Sequence, residues 1–167
     1  MHNSVVTAIA KALEARGVMA LRFNFRGVGA SEGQHDGGRG EQADVAGALD
    51  LLVGQPTVDP WRVSLVGYSF GAWVGLTQAG ADPRIRAAAL VSLVAEHCDA
   101  ESLHSLTRPK LLVTGEYDQL APPRVLRKLV DQLPPPKTLQ VVRGADHFWR
   151  GREQEVAELV TDFIARL

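Results

Sequence analysis

Val63-Ser64-Leu65-Val66-Gly67-Tyr68-Ser69-Phe70-Gly71-Ala72-Trp73-Val74-Gly75 is the stretch on which the reading of this chain turns. Its apolar residues Val63, Leu65 and Val66 stop abruptly at Gly67-Tyr68-Ser69-Phe70-Gly71, and Ala72, Trp73, Val74 and Leu76 follow at once in a helix-compatible segment. The pattern predicts a strand, a sharp turn and a helix. A serine at such a turn is held in a strained backbone conformation, and glycines two residues to either side remove Cβ atoms expected to collide there. The strain lifts the hydroxyl clear of the strand end. Gly71 and Gly75 lie one turn apart, so the helix face they share can press closely against a sheet. The same letters also fit a glycine-rich turn whose serine only caps the helix. The role of Ser69 therefore depends on what the rest of the chain brings to it.

On either side of this stretch, apolar periodicity marks alternating helices and strands. Val5, Val6, Ile9 and Leu13 predict an amphipathic helix from Asn3 or Ser4 as N-cap to Arg16, closed by Gly17. Residues 18–25 read as a strand, and residues 26–40 as a glycine-rich loop. That loop lacks the third glycine of a dinucleotide-binding turn, since Glu32 stands in its place, so no cofactor is expected there. Val45, Ala46, Leu49, Leu52 and Val53 mark a helix over 41–53. After the central stretch come a strand over 86–93, nearly continuous in apolar residues, a loop or short helix over 94–108, and a strand over 110–114. A helix beginning at Pro122 or Pro123 buries Val125, Leu126, Leu129 and Leu133, and Pro134-Pro135-Pro136 stops it. A last strand over 138–142 precedes a helix over 152–165 with Val156, Leu159, Val160, Phe163 and Ile164 on one stripe. Strands alternating with helices predict a doubly wound α/β domain, a mostly parallel sheet covered on both faces, over residues 1–167.

Composition narrows the function. Of 167 residues 46% are hydrophobic and 22% charged, with a formal net charge of -1, so no basic excess exists to neutralise a nucleic acid or an anionic membrane. Cys98 is the only cysteine, which rules out an intramolecular disulfide. No apolar run approaches a membrane span, and no signal-peptide pattern opens the chain; a cytoplasmic protein is expected. His97, Asp99 and His104 match no metal-ligand spacing, so no metal is expected either.

In a parallel α/β sheet, chemistry collects at the carboxyl ends of the strands. Ser69, Asp118 and His147 all fall there, each after a different predicted strand. A serine hydroxyl needs an imidazole to take its proton, and the imidazole needs a carboxylate to fix its tautomer. One sheet edge can supply all three. Asp118 is preferred as the orienting acid over Asp146, an immediate neighbour of His147 that points elsewhere, and over Glu116, read as a solvated loop carboxylate. Asp36, Glu41 and Asp44 read as exposed or capping groups, and Arg26 as a structural tie between the glycine loop and the sheet edge. Tyr68, Phe70 and Trp149 flank the candidate residues; Tyr68 and Trp149 are candidate lining for an acyl pocket, although plain aromatic packing explains them equally well.

These motifs together resemble the α/β-hydrolase superfamily, in which nucleophile elbow, acid and histidine occur in this chain order. Residues 25–33, 115–122 and 144–148 resemble its early-strand, acid and histidine loops, and the likeness is closest to small bacterial hydrolases without a large cap. The resemblance implies that Ser69 attacks a carbonyl carbon of a small acyl substrate, that His147 acts as general base and then acid, that Asp118 orients His147, and that the Phe70 amide donates to the oxyanion. In that family further strands precede the helix matched by residues 4–16, one of them lying between the strands matched by 18–25 and 62–66, and its loop supplies a second oxyanion donor. The expectation is therefore that Met1 is an internal methionine of a longer product. Two functions follow: a serine hydrolase of esters, thioesters or related acyl bonds, or a non-catalytic binding member of the same fold.

Overall fold

The computed structural model describes residues 2–167. Helix α1 (Ser4–Ala15) opens the chain, with the Asn3 side chain accepting from the Val6 amide at 3.1 Å as its N-cap. Helix α2 (Arg39–Val53), strand β1 (Val63–Tyr68), helix α3 (Phe70–Ala81) and strand β2 (Ile85–Val91) follow. A short 3-10 turn over Ala95–His97 and helix α4 (Ala100–Ser105) lead into strand β3 (Lys110–Gly115). Helix α5 (Pro123–Gln132), strand β4 (Lys137–Val142) and helix α6 (Glu153–Ile164) complete it. The four strands form one all-parallel sheet in the order β1-β2-β3-β4.

Successive residues of a strand face opposite sides, and β2 uses both sides for core. Ala88 and Leu90 join Leu112 and the inward faces of α3 and α5 (Ala72, Leu76, Leu126, Leu129) in one cluster. Ala89 and Val91 join Leu111, Val113 and residues of α1 and α6 (Val5, Ile9, Val156, Val160) in the other. Helices therefore cover both faces, and every residue of β3 is buried. β4, at the sheet edge, alternates instead, with Thr138 and Gln140 exposed.

Residues 18–25 differ from the expectation. Among the described residues they belong to no ladder: the sheet consists of β1 to β4, with β1 at its edge paired to β2. Apolar alternation gives a segment a face, but a strand also needs a neighbour for its amides and carbonyls. Met19, Leu21 and Phe23 are left exposed. Arg26, too, ties the glycine loop to α2 and not to the sheet edge; its guanidinium and amide both bind Asp44, with Nη2–Oδ1 at 2.8 Å. Glu41, wholly buried, accepts from the amides of Asp36 and Gly38 and caps α2.

At the opposite end of the sheet from the carboxyl edge, Lys110 is 1% exposed, and its Nζ donates to the carbonyls of Pro134 (2.6 Å) and Pro136 (3.1 Å). Burial, with the Lys137 charge adding to it, pushes this ammonium down to about 8. The unfolded chain then holds more protons than the folded one from pH 8 up to the ordinary lysine range, so stability rises with pH across that window. Chemical denaturation at a series of pH values should show this rise, and Lys110→Met should flatten it.

Candidate active site

The strand ends set the stage. Register aligns Tyr68 with Val91 and Val91 with Val113, so the turns that follow β1, β2 and β3 emerge side by side, and the loop after β4 closes the row. Ser69 comes directly after β1 with φ 53° and ψ −116°, a conformation that an L-residue adopts only under constraint. Its amide donates to the Val91 carbonyl (2.9 Å), and its own carbonyl accepts from the amides of Ala72 (2.9 Å) and Trp73 (3.2 Å). The turn is thus pinned on both sides.

The flanking glycines are not equivalent. A Cβ on Gly67 would run into the Gly71 carbonyl oxygen and reach 2.6 Å from Ala72 Cα, both backbone. A Cβ on Gly71 would meet only Phe25 Cε2, at 3.8 Å, an ordinary contact. The expected collision is therefore found on one side only. Gly75 is the helix glycine that presses on the sheet, against the Leu65 side chain. Gly67→Ala should cost ~3 kcal/mol or more in denaturation, while Gly71→Ala, at a helical position, should leave stability unchanged or raise it by ~0.5 kcal/mol.

The three candidate groups meet. Ser69 Oγ lies 3.0 Å from His147 Nε2, and His147 Nδ1 lies 2.9 and 3.0 Å from the two oxygens of Asp118. A carboxylate can only accept, so the proton belongs on Nδ1 and the free lone pair of Nε2 faces the serine hydroxyl. His147 is 6% and Asp118 2% exposed. Burial works to raise the Asp118 carboxyl; hydrogen bonds from His147 and the Ala121 amide, with the His147 charge, work against it and the group is held below the usual carboxylate range. Oδ1 accepts from the amides of Leu120 (3.0 Å) and Ala121 (2.7 Å), which fix the loop around it.

The acid and histidine loops are laced to each other. The Tyr117 amide donates to the Ala145 carbonyl (2.8 Å), and the Gly144 amide to Glu116 Oε2 (2.9 Å). Glu116 thus serves as a loop tie. Asp146 caps its own turn by accepting from the amides of Phe148 (3.0 Å) and Trp149 (2.9 Å), which turns its carboxylate to the backbone of the residues after it.

The aromatic neighbours divide. Tyr68, half-buried, donates its hydroxyl to the His147 carbonyl at 2.9 Å and braces that loop from below. Burial, then the charges of Asp118 and Asp146, push its phenol up. Trp149 is wholly buried: its φ is 57° and its ring packs in the core, where Nε1 donates to Ser92 Oγ at 3.0 Å. Phe148 takes the outward place, 54% exposed and edge-on to the His147 ring at 5.6 Å. Phe70 heads α3, where its amide has no carbonyl one turn back within the helix. Its ring packs edge-on against Phe25 and Trp73.

The remaining candidates do other things. Asp99 caps α4 by accepting from the Ser102 amide and hydroxyl, His104 Nδ1 bonds the Ala100 carbonyl, and His97 packs on Trp73. Burial, with the Asp99 charge, pushes the Cys98 thiol up to about 12, far from a reactive thiolate. No helix among the described residues is long and apolar enough to cross a membrane.

The family model for the X-Pro dipeptidyl-peptidase (S15 family) matches residues 2–104, which hold Ser69 and end before Asp118 and His147. The chain belongs to the S15 family of α/β serine hydrolases. Solved structures carry the likeness across the rest of the chain. An α/β serine hydrolase homologue from Coxiella burnetii is 34% identical with a TM-score of 0.87, over 100% of this chain and 77% of that one. A lidless α/β serine hydrolase from Xanthomonas campestris is 29% identical with a TM-score of 0.86, over 99% of this chain and 74% of that one. An uncharacterised protein of Rickettsia prowazekii is 30% identical over 172 residues, covering 98% of this chain and 72% of its own length. The S15-family chain places its helices on both faces of a parallel sheet.

Proposed function

We propose that this α/β hydrolase cleaves an ester, thioester or related acyl bond through Ser69, His147 and Asp118. The observation that carries the reading is the continuous relay from Ser69 Oγ to His147 Nε2 (3.0 Å) and from His147 Nδ1 to Asp118 (2.9 Å) at one sheet edge. His147 Nε2 takes the Ser69 proton as Oγ bonds the carbonyl carbon. The carbonyl π pair moves to oxygen, and the Phe70 amide at the head of α3 donates to the resulting oxyanion. Collapse of this tetrahedral species expels the leaving group, which takes the proton from His147 and leaves an acyl group on Ser69. Water then attacks with His147 again as base, and Ser69 leaves as the hydroxyl.

Asp118 keeps His147 in the tautomer with the proton on Nδ1 and stabilises the imidazolium formed in each half-reaction. α4 packs against α3, with Thr77 Oγ1 and Ser102 Oγ 3.3 Å apart. Exposed Phe148 offers an apolar wall beside the histidine. Small or extended acyl groups suit such a surface. Stopped-flow assay with activated aryl esters and acyl thioesters tests the reading. A burst of leaving group approaching one per chain, followed by slower turnover, is expected; rates equal to those of Ser69→Ala on every substrate would overturn it.

A further inference from the structure

Among the described residues three that are not glycine have left-handed backbone: Ser69 at φ 53°, Ser92 at φ 51° and Trp149 at φ 57°. The elbow accounts for Ser69. The other two are 57 positions apart in sequence, are both 0% exposed, and are the two ends of one hydrogen bond, Trp149 Nε1 to Ser92 Oγ at 3.0 Å. A side chain makes such a backbone unfavourable, and tryptophan gains nothing locally from adopting it. Strain of this kind persists where surrounding structure imposes it, and it concentrates at functional sites.

Ser92 stands one residue beyond β2, the strand that lies between the nucleophile's strand and the acid's strand. Its amide donates to the Val113 carbonyl on β3 at 2.7 Å. Its hydroxyl has one proton to give. The indole nitrogen cannot receive it, because Nε1–H is a donor only. A wholly buried hydroxyl needs an acceptor, and the acid lies close by: the Ser92 amide bonds Val113, and the next residue, Thr114, brings its side chain to 3.5 Å from Asp118 Oδ2. The two carboxylate oxygens are unequally supplied. Oδ1 takes two backbone amides as well as His147, whereas Oδ2 has His147 and, at 3.5 Å, a Thr114 hydroxyl whose proton is directed to the Ala121 carbonyl at 2.7 Å. Oδ2 therefore has the spare lone pair.

We propose that Ser92 is a positioning residue for the acid: Trp149 Nε1–H fixes the Ser92 hydroxyl, which donates to Asp118 Oδ2 and holds the carboxylate with both oxygens on His147 Nδ1. This builds on the roles given above to Asp118 and His147. It also gives both left-handed residues a purpose, since their side chains meet in the one bond that aims the Ser92 hydroxyl.

The test is a carbon-13 NMR titration of the Asp118 carboxyl, assigned by its absence in Asp118→Asn, together with the rate of fluorophosphonate labelling of Ser69. Ser92→Ala removes the hydroxyl and keeps the backbone constraint; Ser92→Gly removes both. Both variants should raise the Asp118 titration by about half a unit to one unit and slow labelling about tenfold, the loss of one hydrogen bond to a charged group. Trp149→Phe, which frees the hydroxyl without deleting it, should move both readouts the same way by less. If Ser92 serves only the fold, Ser92→Gly will relieve the strain and leave titration and labelling at wild-type values, and the proposal is overturned. Should Ser92→Ala fail to fold, Ser92→Gly and Trp149→Phe decide. Should the wild type resist labelling altogether, the nucleophile reading fails, while the carboxyl titration still judges Ser92 on its own.

Discussion

Ser69→Ala is expected to lower kcat/KM on any turned-over ester or thioester by about a million-fold, to the level of adventitious hydrolysis, without loss of fold. Removing the nucleophile removes the acyl-enzyme route outright, and what remains is the small benefit of binding and an oxyanion donor. The fold should hold because the Ser69 turn is fixed by backbone bonds, its amide to the Val91 carbonyl and its carbonyl to the amides of Ala72 and Trp73. The Ser69 hydroxyl makes one contact, to His147 Nε2. Alanine also accepts the left-handed backbone no worse than serine does. Thermal unfolding within a few degrees of wild type, beside a collapse in activity, is the expected pair of results.

Asp118→Asn should cost about 10,000-fold in kcat while KM stays near its original value. An asparagine can offer its amide N–H to His147 Nδ1, which then favours the proton on Nε2, the wrong nitrogen for a base facing Ser69. The loop should hold, because the amides of Leu120 and Ala121 (3.0 and 2.7 Å) both bond Oδ1, a place the single asparagine oxygen can keep while its NH2 faces His147. The same change at Asp146 or Glu116 should cost far less. Asp146 caps the Phe148 and Trp149 amides and Glu116 holds the Gly144 amide, and neither is hydrogen-bonded to the imidazole. Steady-state kinetics of the three variants side by side would identify the acid directly; a comparable loss in Asp146→Asn and none in Asp118→Asn would transfer the role.

Much of this arrangement is written in local pattern. The stripes Val5-Ile9-Leu13 and Val156-Val160 can be read from period alone and do face the sheet, and the apolar run of β2 does mark a strand buried on both sides. The order serine, aspartate, histidine at strand ends is likewise visible, because each follows an apolar run and a glycine-rich or turn-forming group. What local pattern does not carry is pairing and backbone sign. Residues 18–25 have the composition of a strand, but a ladder is a property of two segments, and among the described residues the ladder consists of β1 to β4. Gly71 looks like the twin of Gly67, but only Gly67 has backbone where a Cβ would go. Trp149 next to a histidine loop reads as pocket lining, but its φ is positive, its ring packs in the core and Phe148 is left on the surface. Ser92 was hidden for the same reason: within a run predicted as strand through residue 93, one serine gives no sign that its backbone turns left-handed.

The proposed function requires Ser69 to be an activated nucleophile. Intact-mass spectrometry after exposure to a fluorophosphonate probe tests it most directly, with Ser69→Ala and His147→Gln as controls. One phosphonyl adduct per wild-type chain, located on the peptide containing Ser69, absent from Ser69→Ala and strongly slowed in His147→Gln, is the predicted result. A wild-type chain that keeps its folded circular-dichroism spectrum yet gains no mass, or gains it equally in Ser69→Ala, would contradict the claim.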